Sequence, residues 1–442
     1  MYLALAGRRY RVMKLGMRRH AKSRSDDNAD DNATRGGRVS AAQMYQVQDS
    51  YVRFNQRDHM GSQMVWDAHY KAERDKLKEK QRLLMDKGRV GFESTAWGLD
   101  SAADSLLSLM DFSKNQPDTR ATAWQSDLEP SPVGRPEASP EEASQIVRKA
   151  AELLGADQVG FAELDRRWVY SHYFDAETKK AFPIRFSDEP GYEQHKQPVR
   201  LEDGTRVIPR EMKYVVVMLH EWGKDLDGTE HAPTLLTEGL STLAYARMAP
   251  TLWMVAEFIR GLGYNALPAA NDTALSIPLA IDAGLGQVGR HGMLINPKIG
   301  SRCRISKIFT DLPLEPAGAV NSGITEFCNA CLKCVPKCGT KAITTGDRSF
   351  DPIDESNATG VLSWKLDAKK CMTFQNRVGS TCSTCVRRCA WTKPPNRMYA
   401  IPRFFIRNFR WRWLNKTWVW LDDLAGNGKF DKKSNDFWVT GR

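Results

Sequence analysis

An α/β fold with helices covering a sheet, followed by a compact cysteine-rich module, is what this sequence predicts. Three observations predict it. Between residues 139 and 320, short apolar runs of strand length alternate with segments of helical period. The chain has 442 residues, 41% of them apolar, enough to bury a sizeable core in more than one domain. Eight of its nine cysteines fall between Cys328 and Cys389. Such crowding is metal-site behaviour, not a disulfide scaffold.

Taken in order, residues 1–60 are polar and read as a basic arm without fixed structure. Arg8, Arg9, Arg11, Lys14, Arg18, Arg19, Lys22 and Arg24 precede the first acid, Asp26, in a chain of net charge +11. Such a block suits anionic lipid or nucleic acid as well as water. A secretory signal needs an apolar stretch after its basic region. Leu15-Gly16-Met17 instead runs straight into Arg18-Arg19, so no export signal is visible. Residues 61–138 read as a covering segment. Charges at helical spacing over 62–90 predict a helix, and Pro117, Pro130, Pro132 and Pro136 mark an extended stretch. No apolar run reaches membrane-spanning length.

The core is expected over residues 139–320. Ser139-Pro140-Glu141-Glu142 is a helix start with a capping box, and Gly155 ends that helix. Ile146, Ala150, Leu153 and Leu154 are expected on its inner face. Val159–Phe161 and Tyr214–Leu219 read as buried strands, and Thr237–Gly261 as a long helix bent at Pro250. A strand at Tyr264–Leu267, a short helix at Ser276–Asp282, a glycine-rich turn, and strands around Met293–Asn296 and Arg304–Thr310 follow. Residues 321–395 form the cysteine module. Residues 396–442 are a basic, aromatic tail, expected to pack over that module with arginines reaching outward.

Cys328, Cys331, Cys334 and Cys338 follow C-x-x-C-x-x-C-x-x-x-C, and Cys371, Cys382, Cys385 and Cys389 form a second group ending C-x-x-C-x-x-x-C. Closely spaced thiolates can wrap three corners of an iron–sulfur cube, with the fourth ligand crossing from the other group, as in two-cluster ferredoxins. That assigns Cys328, Cys331, Cys334 and Cys389 to one four-iron–four-sulfur cluster, and Cys371, Cys382, Cys385 and Cys338 to another. Zinc prefers two C-x-x-C pairs per tetrahedron and suits this pattern less well. The lone Cys303 reads as a small buried hydrophobe.

Beyond the cysteines, residues 139–395 resemble the corrinoid-dependent reductive dehalogenases. Tyr245, in Leu243-Ala244-Tyr245-Ala246-Arg247-Met248, matches that family's proton-donating tyrosine. Asn271, in Ala270-Asn271-Asp272-Thr273, matches its active-site asparagine, and Arg304 the arginine beside the tyrosine. The motifs Ala283-Gly284-Leu285-Gly286-Gln287-Val288-Gly289-Arg290, Thr310-Asp311-Leu312-Pro313-Leu314 and Cys389-Ala390-Trp391-Thr392-Lys393 match as well. Taken singly, Tyr245 would be a helix-face core residue, Asn271 a turn residue and Arg304 a surface charge.

The resemblance implies an α+β, nitroreductase-like core and a ferredoxin-like two-cluster module, with a base-off, cobalamin-type corrinoid held between them. It implies that Tyr245 delivers a proton, that Arg304 stabilises the phenolate, and that Asn271 orients the group. Gly284, Gly286 and Gly289 would let backbone approach the corrinoid's nucleotide tail. The implied substrate is a small organohalide, as in organohalide respiration. The implied partners are a membrane-bound electron donor or anchor, with a homodimer allowed, no nucleic acid, and a peripheral place at the membrane. The missing export signal also permits a cytoplasmic one. Epoxyqueuosine reductase, a tRNA-modifying relative on the same plan, is the alternative, with Asp272 as its acid and the basic charge suiting tRNA. The spaced Tyr245, Asn271 and Arg304 favour the dehalogenase. A simple electron carrier would need no large α/β domain.

Overall fold

Strict alternation along Tyr214–Glu221 sets the architecture. Val215, Val217 and Leu219 point to one side and join a core with Tyr173, Ile184, Ile208 and Phe309. Val216 and Met218 point to the other and join Val147, Phe161, Leu252 and Ile308. A strand buried on both faces must be covered on both, and here helices cover one face and helices with a second sheet the other.

The computed structural model describes residues 39–110, 122–126, 128–222, 233–392, 397–425 and 436–439. The described residues from Val39 onward cluster as one unit. The basic run Arg8–Arg24 lies outside the described residues.

Elements are numbered in chain order. The helices are α1 (Ala41–Met44), α2 (Met60–Trp66), α3 (Ala68–Asp75), α4 (Leu77–Asp86), α5 (Ser94–Leu109), α6 (Pro140–Leu153), α7 (Leu235–Gly261), α8 (Ser276–Asp282), α9 (Ile324–Cys331), α10 (Ala368–Val378), α11 (Thr384–Arg388), α12 (Arg397–Phe409), α13 (Arg412–Leu424) and α14 (Asp436–Val439). The strands are β1 (Gln158–Glu163), β2 (His172–Phe174), β3 (Ala181–Phe186), β4 (Val199–Arg200), β5 (Arg206–Ile208), β6 (Tyr214–Glu221), β7 (Ala266–Ala269), β8 (Gln287–Val288), β9 (Leu294–Ile295) and β10 (Cys303–Thr310).

The central sheet has the order β1-β6-β10-β7, and every pairing in it is antiparallel. This corrects the α/β expectation towards its α+β form. A parallel pair occurs in the second sheet, β2-β3-β5-β4, between β3 and β5. β8 and β9 form a hairpin. α5 and α6 pack on α7, while α1 and α8 sit on the opposite side of the sheet.

Two further expectations are corrected. The α6 capping box forms as expected, but its inner face is Ala143, Ser144, Val147 and Ala151. Ile146 is 42% exposed and Leu153 74% exposed. The expected stripe is off by roughly one residue, a rotation of about 100° on a helix. The cause is composition: α6 buries small residues against α7, so the largest apolar side chains do not mark the inner face. Residues 39–60, expected within the arm, pack into the core. Ala41 and Tyr45 are buried, Ala41 N–H donates to Asp282 Oδ1 at 2.5 Å, and Arg53 donates to the carbonyls of Val169, Tyr170 and Ile184.

Candidate active site and cysteine centre

The sheet ends at one edge where β6 and β7 stop and β10 begins. Tyr245, Asn271 and Arg304 meet there, although the chain separates them widely. Tyr245 faces the sheet from α7, Asn271 follows β7, and Arg304 lies on β10 in register with His220 of β6. Asn271 Nδ2 donates to the Tyr245 hydroxyl at 3.1 Å. The Arg304 guanidinium carbon lies 4.2 Å from the centre of the Tyr245 ring and 5.4 Å from that of Trp222. Arg304 also donates to Ser241 Oγ. Ser241 and Tyr245 are one helical turn apart, so a single guanidinium grips the same face of α7 twice. Arg304 Nε is buried and has no hydrogen-bond partner among the described residues.

The turn that presents Asn271 is fixed from behind. Asp272 is buried, and its carboxylate accepts from Ala270 N–H at 2.8 Å and from Thr273 Oγ1 at 2.9 Å. Thr273 holds φ +65°, a left-handed conformation that a β-branched residue adopts only when its surroundings impose it. Lys307 is fully buried, donates to Ala270 O and, at 2.9 Å, to Ser276 Oγ, and is lowered to about 8 by burial. The Tyr170 hydroxyl lies 3.5 Å from Asn271 O, and burial raises its pKa.

His59 was missed in the sequence. It lies in a segment read as an arm, and no local signal marks it. Its side chain is exposed, yet burial among surrounding atoms, then Lys307, lowers its pKa. Solvent contact combined with desolvation is the mark of a recess rather than a convex surface. Lys307 was also missed as a site residue, because a lysine within a strand reads as a solvent-facing charge.

The glycine motif packs closely against its own chain. A Cβ on Gly286 would stand 2.3 Å from Ile295 O, one on Gly289 2.5 Å from Ile295 Cδ1, and one on Gly284, at φ +72°, 3.2 Å from Ala317 Cβ. Gly286 and Gly289 thus let the β8–β9 hairpin close tightly on Ile295. That hairpin thrusts Arg290 and His291 towards the cysteines. Arg290 donates to the carbonyls of Cys328, Thr344 and Gly346 and lies 4.7 Å from the Trp364 ring centre.

Cys328, Cys331, Cys334 and Cys389 line one cavity with Arg290 and His291. Burial, with the nearby Cys389 adding to it, pushes the Cys331 and Cys334 thiols up to about 12. Cys328 is raised by burial and by the same Cys389. Burial raises Cys371 to about 11, with Cys382 and then Cys338 adding to it, and Cys385 rises by burial, Cys382 and Cys371. The thiols thus neighbour one another, with Cys389 beside Cys328, Cys331 and Cys334, Cys338 beside both Cys371 and Cys334, and Cys334 also near Cys385. Among the described residues, no three His, Cys, Asp or Glu side chains converge tightly enough to hold a single metal ion. A cubane binds its thiolates at separate irons and needs a wider cage, so the donor set suits a cluster better than a single ion. Cys303 is partly buried and carries no disulfide, its thiol pushed up to about 12 by burial.

Residues 117–314 match the family model described as reductive dehalogenase subunit. Over 299 residues the chain is 33% identical to the tetrachloroethene reductive dehalogenase of Sulfurospirillum multivorans, covering 65% of this chain and 58% of that one. A solved reductive dehalogenase, whose structure suggested a mechanism for B12-dependent dehalogenation, shares the fold. Its TM-score is 0.60 at 22% identity, covering 87% of this chain and 48% of that one. The chain therefore spans roughly half the length of the proteins it matches. An epoxyqueuosine reductase of Leadbetterella byssophila is 31% identical over 112 residues, 25% of this chain and 34% of that one.

Proposed function

Because this chain belongs to the reductive dehalogenase family, we propose that it replaces the halogen of a small organohalide by hydrogen. Two electrons and one proton enter, and halide leaves. The observation that carries the site assignment is the Tyr245 hydroxyl held by Asn271 Nδ2 at 3.1 Å with Arg304 against its ring. Tyr245 gives its proton to the carbon that loses halide. Arg304 offsets the charge left on the phenolate, and Asn271 donates to the same oxygen and fixes its direction. Ser241 anchors the guanidinium, and Lys307 and Asp272 hold the turn that carries Asn271.

Polar groups that a large polar cofactor can take up meet at this edge: the unpartnered Arg304 Nε and the exposed Asn271, with exposed His59 near Lys307. A corrinoid held there would supply the low-potential electrons for breaking the carbon–halogen bond, and two iron–sulfur clusters held by the eight cysteines would relay electrons from an outside donor.

The alternative acid is disfavoured by one geometric fact. Asp272 is turned inward, with both oxygens accepting hydrogen bonds within its own turn. Halide release by anaerobically reconstituted protein tests the reading. Tyr245→Phe should lower it by about 10² to 10⁴-fold with cofactor binding intact. Wild-type turnover by Tyr245→Phe would show that the acid is elsewhere. Epoxyqueuosine reduction that depends on Asp272 would show that the alternative holds.

The tail supports a place at a membrane surface beside a membrane-bound donor. Ile406 and Trp418 pack over the cysteine module, while a chain of ring contacts runs outward through Phe405, Phe409, Trp411 and Trp413. Trp411, Trp413 and Trp420 are exposed next to Arg412 and Lys416, a composition suited to the lipid headgroup region. Among the described residues no helix is long and apolar enough to cross a membrane.

A further inference from the structure

The cavity of Cys328, Cys331, Cys334 and Cys389 has a feature that the ligand set does not explain. His291 is buried and lines it, and its Nε2 has no hydrogen-bond partner among the described residues. Trp391 also lines it, and its buried Nε1 likewise has none. Leaving a buried donor unpaired costs about 1–3 kcal/mol, and two around one cavity are not a packing accident.

The protonation state of His291 follows from its other nitrogen. Met293 N–H donates to Nδ1 at 3.3 Å. Nδ1 is therefore the acceptor, and the ring proton sits on Nε2, the atom left over at the cavity. The ring is held in place by Gly289, where a Cβ would press within 3.0 Å of His291 Cε1, and by the turn Gly289-Arg290-His291-Gly292, closed by Gly292 N–H to Gly289 O at 2.9 Å.

We propose that His291, with Trp391, donates N–H hydrogen bonds to the sulfurs of the cluster bound by Cys328, Cys331, Cys334 and Cys389, and so raises that cluster's reduction potential. The proposal rests on the iron–sulfur reading of the eight cysteines. Its physics is simple. Reduction adds one electron to the irons and leaves the whole cluster, its sulfurs included, more negative. A donor pointing at sulfur stabilises the more negative, reduced form. The neighbouring Arg290 guanidinium, fixed on the Cys328 carbonyl, works in the same direction. His291 touches neither organohalide nor the Tyr245 cluster in this account; it is a positioning and tuning residue.

The test uses the full chain, anaerobically reconstituted, with iron and sulfide counted first. Redox titration followed by electron paramagnetic resonance then reads each cluster. His291→Phe keeps the ring and removes the donor. At a fixed potential, the reduced-to-oxidised ratio of one cluster should fall about tenfold, which is about 59 mV for one electron, while the other cluster stays put. His291→Gln, whose amide N–H reaches a position similar to that of Nε2, should recover most of the shift. Equal shifts of both clusters, no shift, or a Gln variant that behaves like Phe would overturn the proposal. The parent protein supplies a check that needs no variant to fold. With ¹⁵N-histidine label, one reduced cluster should show hyperfine coupling to ¹⁵N and to an exchangeable proton. Two intact clusters without that coupling refute the proposal alone, whereas absence of iron and sulfide refutes the cluster reading beneath it as well.

Discussion

At the sheet edge, Tyr245, Asn271 and Arg304 hang on a framework that stands without them. In the cysteine module, the reactive groups are themselves the core. The central sheet is pinned by residues such as Val215, Val217 and Leu219, fully buried and remote from the chemistry. The module has no ladder of comparable length among the described residues. It is built from α9, α10, the short α11 and isolated bridges such as Ile343 with Leu366. Its apolar cluster includes Cys328 and Cys389 beside Phe327, Trp364 and Trp391. If the eight cysteines hold clusters, these buried thiols ionise only when iron takes the charge, and binding and folding are coupled there. On that reading the first region should lose a functional side chain and keep its shape, and the second should not.

The largest effect should therefore come from a crossing cysteine. Cys389→Ala should reduce iron and sulfide from about eight each to about four each and abolish turnover. The surviving resonance should be that of the cluster held by Cys371, Cys382 and Cys385. Cys338→Ala should spare the other one. If Cys389→Ala instead removed the signal that Cys371→Ala removes, the crossed assignment would be wrong.

Next comes Arg304→Lys at the sheet edge. The substitution keeps the charge but loses the planar contact with the Tyr245 ring and the reach to Ser241. Halide release should drop by roughly tenfold, less than for Tyr245→Phe, while both clusters keep their signals. Loss of either cluster signal would mean that the two regions are not separable as described.

How far the sequence revealed this follows from where each signal is local. The cysteine sets, the α6 capping box, β6 and α8 are written in contiguous residues, and the structure places those elements where spacing puts them. Tyr245, Asn271 and Arg304 became a site only through resemblance, because a helix, a turn and a strand had to be folded together before 3.1 Å meant anything. His59 and Lys307 were illegible for a related reason. One lies in a polar segment, and the other is a charge made tolerable by Ala270 O and Ser276. The glycine motif was legible as a motif but not in its packing, since only the fold shows that Ile295 fills the space beside Gly286 and Gly289.

A smaller, pH-dependent effect tests how residues 39–60 join the framework. Asp282 accepts from Ala41 N–H and, at 2.9 Å, from Trp168 Nε1. Burial outweighs these bonds and raises its pKa from 3.8 to about 6. The folded state thus holds this proton more tightly than the unfolded one. The contribution to stability is full below about pH 4 and is lost as pH rises towards 6. About 3 kcal/mol is the ceiling for that change. Urea midpoints of the parent should fall relative to those of Asp282→Asn across this window. Parallel pH profiles would mean that Asp282 does not titrate there.

The smallest expected effect, that of Leu153→Ser, belongs to the most direct contest between pattern and packing, on α6. Spacing of large apolar residues placed Ile146 and Leu153 inward, whereas the folded helix buries Val147 and Ala151 against α7 and leaves Leu153 74% exposed. Both substitutions remove apolar surface, so they differ only in what surrounds the side chain. Val147→Ala empties space among Phe161, Val216 and Leu252, fellow members of one buried cluster. It should cost about 1.5–3 kcal/mol, with the value set by how far α6 can settle onto the sheet. Leu153→Ser removes a larger side chain from water contact and should change stability by less than about 0.5 kcal/mol. Neither should alter halide release, because α6 touches the framework behind Tyr245 and not the edge itself. Urea denaturation of the two variants decides the matter: a larger loss from Leu153→Ser than from Val147→Ala would restore the face that spacing alone selects.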